Sequence, residues 1–116
     1  MPKQSIEAYG KHIIIDLYQA ERLDDIDLMR QAINEIIEVT GAKLLFDNFH
    51  HFKPQGITGI ACLAESHISV HTWPESSFAA FDIFMCGHSR PERAIDILER
   101  YFGGIAQVQI IHRGKK

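Results

Sequence analysis

The amino-acid sequence predicts an α+β fold, a two-layer α/β sandwich in which two helices cover one face of a mainly antiparallel sheet. Two segments repeat apolar residues at three- and four-residue steps, the period of an amphipathic helix. Six short segments are rich in β-branched and aromatic residues, and four of them follow one another with connections too short for a helical crossover. Strands joined so closely pair antiparallel. The 116 residues suffice for one hydrophobic core, so we expect a single domain over residues 1–116.

The six predicted strands are short and are bounded by Gly, Pro, Asn or Ser, which favour turns. They cover residues 12–17, 43–52, 57–64, 67–72, 78–85 and 105–112. The second to fifth of them form the consecutive antiparallel set. The chain order is then strand, helix, four strands, helix and strand.

The first helix is predicted within residues 24–42. Asp24 or Asp25 can cap its start, because a short carboxylate accepts hydrogen bonds from the free N–H groups of a first helical turn. Gly41 can end it in the left-handed conformation that glycine adopts without strain. The apolar stripe that should face the sheet consists of Met29, Ala32, Ile33, Ile36, Ile37 and Thr40.

The second helix is predicted to begin at Ser89, with Glu92 three residues later in a capping-box arrangement. Pro91 lies between them and is favoured in a first turn, where its missing N–H has no partner. Gly103 and Gly104 should end this helix. Its apolar stripe consists of Pro91, Ile95, Leu98 and Phe102.

Composition and charge exclude several classes of function. Twelve basic and fifteen acidic residues give a net charge of -3, and such a surface repels phosphate backbones, so we expect no nucleic-acid partner. No apolar run approaches the roughly 20 residues of a membrane span, and the N-terminus lacks the features of a secretion signal. Two cysteines do not form a disulfide framework. We expect a cytoplasmic protein with reduced thiols and no membrane contact.

Five of the seven histidines fall between positions 50 and 88, which raises the question of a metal site. His67 and His71 have a spacing that binds zinc on a helix. Their segment is rich in β-branched residues, however, and residues four apart in a strand are about 13 Å apart. His50 and His51 are adjacent and point to opposite faces of a strand. We therefore expect no metal site.

A second interpretation treats these side chains as ordinary packed or hydrogen-bonded residues. We accept it for Cys62, which lies inside an apolar run, because free cysteine usually behaves as a small hydrophobe. His12, His88 and His112, each taken alone, are typical of surface or edge positions.

A third interpretation comes from a longer pattern of residues. Glu65-Ser66-His67 is followed by His71-Thr72-Trp73-Pro74-Glu75 and then by Cys86-Gly87, within the stretches HHFKPQGITG, ACLAESHISVHTWPES and FAAFDIFMCG. This pattern resembles the small pyruvoyl-dependent S-adenosylmethionine decarboxylase proenzymes of prokaryotes. The resemblance covers nearly the whole chain, including the segment GKHIIIDLY near the start.

The resemblance implies that the chain makes its own cofactor. Ser66 would attack the carbonyl of Glu65, converting the peptide bond to an ester whose elimination and hydrolysis leave a pyruvoyl group at residue 66. The products would be a β chain of residues 1–65 and an α chain of residues 66–116. The resemblance assigns the base for the elimination to His71 and a supporting hydroxyl to Thr58. A self-made carbonyl fits a small domain, since decarboxylation of an amino acid needs an electron sink that no side chain provides.

The resemblance also implies a substrate and the residues that bind it. S-adenosylmethionine would form a Schiff base with the pyruvoyl group and lose carbon dioxide, giving the aminopropyl donor for spermidine biosynthesis. Cys86 would return a proton to the α-carbon. Phe52 would stack on the adenine, and Glu75 would bind the ribose hydroxyls.

One geometric expectation is independent of the resemblance. If residues 66–71 form one strand, Ser66 and His71 are about 16 Å apart, so His71 cannot reach Ser66 of its own chain without a sharp turn. A sheet with helices on one face also leaves its other face uncovered. Both points favour a homodimer with composite sites. Two rival functions remain: a pyruvoyl-dependent ornithine or arginine decarboxylase, and an unprocessed homologue without catalytic activity.

Overall fold

Six strands and two helices make up residues 8–114, the part of the chain that the computed structural model describes. Residues 1–7 and 115–116 of the predicted domain lie outside this range. In chain order the elements are β1 (Tyr9–Tyr18), α1 (Ile26–Thr40), β2 (Leu44–His51), β3 (Ile57–Leu63), β4 (Ser66–Trp73), β5 (Phe78–Cys86), α2 (Arg93–Phe102) and β6 (Ile105–Gly114). A short 3-10 turn at Pro74–Ser76 joins β4 to β5.

All six strands form one sheet in the order β2-β3-β4-β5-β1-β6. Every neighbouring pair is antiparallel, and β2 to β5 form the consecutive set that the short connections predict. The first strand lies between the last two: β1 pairs with β5 from Gly10 opposite Cys86 to Tyr18 opposite Phe78, and with β6 on its other side. The predicted α+β sandwich is confirmed, with a sheet that is antiparallel throughout.

Helix α1 has the buried face and the two ends that the sequence predicts. All six residues of the predicted stripe are buried. Asp25 is the N-cap, and its side chain accepts a hydrogen bond of 3.0 Å from the N–H of Leu28. Gly41 ends the helix with φ 77°. Asp24 therefore does not cap the helix, and its carboxylate contacts His51 and Gly56 instead.

The predicted start of α2 is wrong. The α-helix begins at Arg93, and Glu92 makes no side-chain capping bond. Instead Glu92 accepts a hydrogen bond of 2.6 Å from the Lys11 ammonium on β1, 81 residues away. This ion pair removes the carboxylate from the predicted capping box, and the N–H of Ser89 donates to the carbonyl of Cys86 in a turn. The buried positions of α2 are Ala94, Ile97, Leu98 and Phe102.

The hydrophobic core fills the space between the sheet and the two helices. Alternate strand residues such as Ile13, Ile68 and Ile83 face the helices and are completely buried. The intervening residues form the opposite face of the sheet, which no element within residues 8–114 covers. Large apolar side chains are exposed there, including Phe46 at 60% and Ile60 at 44%. The molecule thus presents a largely uncovered sheet face.

Cys62 and His12 lie on this face in environments that differ from those expected from the sequence. Cys62, expected to be an ordinary packed residue, lies on it opposite His67 in the strand register and is only half-buried, so it is not part of the core. His12, expected to be an ordinary surface residue, has a buried Nε2 without a hydrogen-bond partner among the described residues. The nearest carboxylate oxygen, on Asp82, is 3.9 Å from that nitrogen. Buried polar atoms are usually hydrogen-bonded, so this nitrogen can accept a partner from outside the described residues.

Candidate active site

The hairpin between β3 and β4 places Glu65 and Ser66 at a tight turn. Leu63 pairs directly with Ser66, so Ala64 and Glu65 alone form the connection. Glu65 has φ 62°, a left-handed conformation that costs a residue with a side chain about 1–2 kcal/mol. The Glu65–Ser66 bond therefore follows a strained residue on an exposed turn.

Cys86 lies beside this turn at the end of β5. The β4–β5 register pairs His67 with Phe84, and its continuation brings Glu65 next to Cys86. Burial raises the pKa of the Cys86 thiol, and the Glu65 carboxylate raises that pKa further through a hydrogen bond and its charge. The Ser66 hydroxyl lowers the same pKa by a smaller amount. At neutral pH the thiol is therefore protonated, as a proton donor must be.

Thr58 and His71 are opposite each other on β3 and β4, and their side chains lie on the uncovered face. Thr58 Oγ1 and His71 Nδ1 are 3.0 Å apart and hydrogen-bonded. The direction of that bond decides what His71 can do. When Nδ1 carries the hydrogen and donates to the Thr58 oxygen, Nε2 is left free to accept a proton. Thr58 can thus hold His71 in the tautomer that a base requires.

Phe52 and Glu75 lie next to this pair. Both line an open cavity of about 400 Å³ together with Thr58, His71 and Trp73, and the volume is in the range of small-molecule sites. The Phe52 ring is 47% exposed, so it is available for stacking. Glu75, in the 3-10 turn after β4, is also exposed. Four of the seven predicted site residues therefore share one cavity.

The remaining predicted residues lie at the other end of β4. Ser66 and His71 belong to the same strand, five residues apart, which corresponds to about 16 Å. One group consists of Glu65, Ser66 and Cys86, and the other of Phe52, Thr58, His71 and Glu75. A single copy of the chain does not bring the two groups together.

The histidines of residues 8–114 are engaged in contacts other than metal binding where the structure shows their partners. That range contains no group of three His, Cys, Asp or Glu side chains arranged to bind a metal ion. His51, one of the histidines considered for a metal, instead bonds to Asp24, and the His50 ring packs edge-on against Phe52 at 4.4 Å between centroids. Neither helix in the described part of the chain is long and apolar enough to cross a bilayer.

Comparison with known proteins identifies the family. A model of the family described as S-adenosylmethionine decarboxylase matches residues 11–114. The S-adenosylmethionine decarboxylase proenzyme of Parasynechococcus marenigrum (strain WH8102) is 52% identical over 92 residues, which span 77% of this chain and 72% of that protein. The chain belongs to the S-adenosylmethionine decarboxylase family. The resemblance drawn from the sequence is therefore confirmed.

Other members of the S-adenosylmethionine decarboxylase family agree in sequence and in fold. The proenzyme of Methanococcus maripaludis (strain DSM 14266) is 44% identical over 95 residues, spanning 79% of this chain and 78% of that one. The crystal structure of the adenosylmethionine decarboxylase from Aquifex aeolicus VF5 superimposes with a TM-score of 0.84 at 29% identity, covering 98% of this chain and 95% of that chain. The fold of this chain is thus the fold of a solved family member.

Sequence reasoning missed one set of contacts around the cavity of this family member. Asp24 Oδ1 lies 2.9 Å from His51 Nε2 and accepts a 2.8 Å hydrogen bond from the N–H of Gly56. The only signal in the sequence was the pair Asp24-Asp25, of which a helix can use one as its N-cap. The second aspartate was left without a role.

Proposed function

We propose that the chain is a proenzyme that cuts itself between Glu65 and Ser66 and then decarboxylates S-adenosylmethionine with the pyruvoyl group made from Ser66. The product would be the aminopropyl donor for spermidine biosynthesis. Family membership and the name that the relatives share carry the decarboxylase function. The arrangement of Glu65, Ser66 and Cys86 at one strained turn is the structural observation that supports self-cleavage.

The cleavage can be written with the residues of the turn. The Ser66 hydroxyl attacks the Glu65 carbonyl, so that an ester forms and the Ser66 nitrogen becomes a free amine. A base removes the α-proton of Ser66, and the bond between the Ser66 Cβ and the ester oxygen breaks. Glu65 leaves as a carboxylate that keeps this oxygen. Water then hydrolyses the remaining dehydroalanine, ammonia leaves, and a pyruvoyl group ends the α chain. The first step is favoured because it releases the strain of the left-handed Glu65 conformation.

His71 is proposed as the base, and a second copy of the chain must supply it. Within one copy His71 is about 16 Å from Ser66 along β4. A two-fold axis between two uncovered sheet faces places the Thr58–His71 end of one β4 opposite the Ser66 end of the other. The exposed Phe46 and Ile60 and the orphan Nε2 of His12 support such a contact. We infer a homodimer with two composite sites.

Phe52 and Glu75 support S-adenosylmethionine as the substrate. The exposed Phe52 ring offers a face on which adenine can stack, and the exposed Glu75 carboxylate can accept hydrogen bonds from the two ribose hydroxyls. Ornithine and arginine have neither an adenine nor a ribose, so they would leave both groups unused. The cavity therefore favours the nucleoside over these amino acids.

The pyruvoyl group would supply a carbonyl that takes up the electrons of the breaking bond to carbon dioxide. The chain itself supplies proton transfer and orientation. Cys86, with its raised pKa, is protonated and lies beside residue 66, so it can return a proton to the α-carbon. Thr58 keeps the His71 ring in one orientation through the 3.0 Å hydrogen bond.

The proposed function is tested by intact mass and a panel of three substrates. The purified protein should give two fragments, and the C-terminal one should be lighter by one ammonia than a chain that begins with serine at position 66. Carbon dioxide should be released from S-adenosylmethionine and not from ornithine or arginine. A single uncut chain without activity would instead support the unprocessed homologue.

The composite site is tested by co-expressing two inactive chains. His71→Ala alone and Ser66→Ala alone should both remain uncut, since each homodimer lacks either the base or the nucleophile. In a mixed dimer, the Ser66 of the His71→Ala chain faces an intact His71, so that chain should be cut while the Ser66→Ala chain stays whole. Distinct affinity tags and mass spectrometry identify which chain is cut. Absence of cleavage in isolated mixed dimers would argue against His71 acting between copies.

A further inference from the structure

The loop between β2 and β3, residues 52–56, carries Phe52 and is bonded to the segment that precedes α1. The Asp24 carboxylate makes the connection. Its Oδ1 atom accepts a 2.8 Å hydrogen bond from the N–H of Gly56 and lies 2.9 Å from Nε2 of His51. One oxygen therefore contacts residues on both sides of the loop.

Phe52 is coupled to this oxygen through the loop backbone. The N–H of Phe52 donates a 2.8 Å hydrogen bond to the carbonyl of Gly56, so the two ends of the loop are joined to each other. Gly56 has φ 111°, and a β-carbon built there would lie 3.3 Å from the carbonyl oxygen of Thr72. Gly56 is thus packed closely against β4, and any shift of Gly56 moves Phe52 with it.

The Asp24 carboxylate is one anchor of this loop, and the buried Thr72 hydroxyl is a second. The Thr72 hydroxyl donates to the carbonyl of Leu23 at 3.0 Å and accepts from the N–H of Ile57 at 2.9 Å. Leu23 and Asp24 therefore fix Ile57 and Gly56, two successive residues of the loop and its following strand. Thr72 directly follows His71, so the same anchor sets the distance between the Phe52 loop and the base.

Asp24, unlike the buried Thr72, can be substituted without leaving a cavity in the core. Its side chain is 42% exposed, and Asp25, not Asp24, caps α1. The hydrogen bond from Gly56, and after it that from His51, holds the pKa of the Asp24 carboxyl below its ordinary value. The charged form is therefore the one that binds the loop.

We propose that Asp24 is a positioning residue for substrate binding, which fixes the 52–56 loop so that the Phe52 ring lines the nucleoside cavity. This inference rests on the proposed function, in which Phe52 stacks on adenine. Stacking on the adenine is remote from the bond that breaks, so it stabilises the bound substrate and the transition state equally. Loss of the Asp24 contacts should then raise KM and leave kcat nearly unchanged.

The test compares Asp24→Ala, Asp24→Asn and the control Asp27→Ala, an exposed aspartate in the first turn of α1. Asp24→Ala should raise KM for S-adenosylmethionine about tenfold with kcat within about twofold, the effect expected from losing hydrogen bonds to a charged group. Asp24→Asn retains an oxygen for the Gly56 N–H but lacks the charge, so its KM should lie between those of the parent and Asp24→Ala. Asp27→Ala should match the parent.

A double-variant cycle separates positioning from a general loss of structure. If Asp24 acts through Phe52, Phe52→Ala alone should raise KM at least as much, and adding Asp24→Ala to it should raise KM no further. Additive effects on KM, or a fall in kcat alone, would overturn the proposal.

Amide hydrogen exchange gives a readout that needs no activity. Asp24→Ala should speed exchange at residues 52–57 and leave exchange within α1 at the parental rate. If the parent fails to decarboxylate S-adenosylmethionine, the proposed function fails while exchange still reports on the anchor. Unchanged exchange over residues 52–57 would overturn the anchor itself, whatever the activity.

Discussion

A Ser66→Ala chain is expected to run as one uncut band on a denaturing gel and to show no decarboxylase activity. The substitution removes the hydroxyl that must attack the Glu65 carbonyl, and a methyl side chain offers no nucleophile in its place. Without cleavage no carbonyl forms at residue 66, so activity should fall to background. Intact mass and carbon dioxide release from S-adenosylmethionine measure the two effects.

The matched control for this variant is Ser69→Ala, which removes a hydroxyl from the same strand three residues away. It should be cut like the parent. Ser66→Ala should also unfold at nearly the parental temperature, since it deletes one partly exposed polar atom at the start of β4. Two fragments from a correctly folded Ser66→Ala chain would refute the assignment of the cleavage site.

Cys86→Ala is expected to mature but to turn over poorly. The Cys86 proton is needed only after carbon dioxide has left, so cleavage at residue 66 should still occur. Turnover should fall by about 10² to 10⁴, the usual contribution of a positioned acid or base. The other free thiol provides the control: Cys62→Ala should keep parental turnover, because Cys62 lies on β3 opposite His67, whereas Cys86 lies next to Glu65.

The pH dependence adds a second readout for Cys86. Burial raises the pKa of the thiol, and in the uncut chain the Glu65 carboxylate raises it further. The donor is therefore present below that raised pKa and is lost as the pH rises through it. The parent should therefore lose turnover on the alkaline side. In Cys86→Ser the hydroxyl does not titrate there, so residual turnover should lack this decline. Parental turnover in mature Cys86→Ala would show that another group donates the proton.

Much of the fold could be predicted because local patterns determine it. The stripe of α1 and the short connections between β2 and β5 required no distant information. The predicted strands 57–64 and 67–72 put the turn at residues 65–66, and that register would pair Thr58 with Trp73. The observed turn at Ala64 and Glu65 pairs Thr58 with His71 instead, since an antiparallel register is fixed at its turn. The hairpin itself was therefore predictable, but the register that brings Thr58 and His71 together was not.

The remaining features depend on contacts between distant segments. The start of α2 was wrong because Lys11, on another element, binds the Glu92 carboxylate. The contact of Asp24 with Gly56 could not be predicted, because it requires the position of α1 relative to the β2–β3 loop. Similarly, no local pattern places β1 between β5 and β6.

This placement of β1 has a consequence for a chain that is cut at residue 65. The N-terminal piece would contribute β1, α1, β2 and β3, and the C-terminal piece β4, β5, α2 and β6. Because β1 is hydrogen-bonded on both edges to strands of the other piece, the two polypeptides would be interleaved and could not separate without dismantling the sheet. Each mature subunit would thus consist of two polypeptides that are already assembled when the cut is made. The cut would lie at the turn between β3 and β4, and the shared sheet and core would keep both new ends in place.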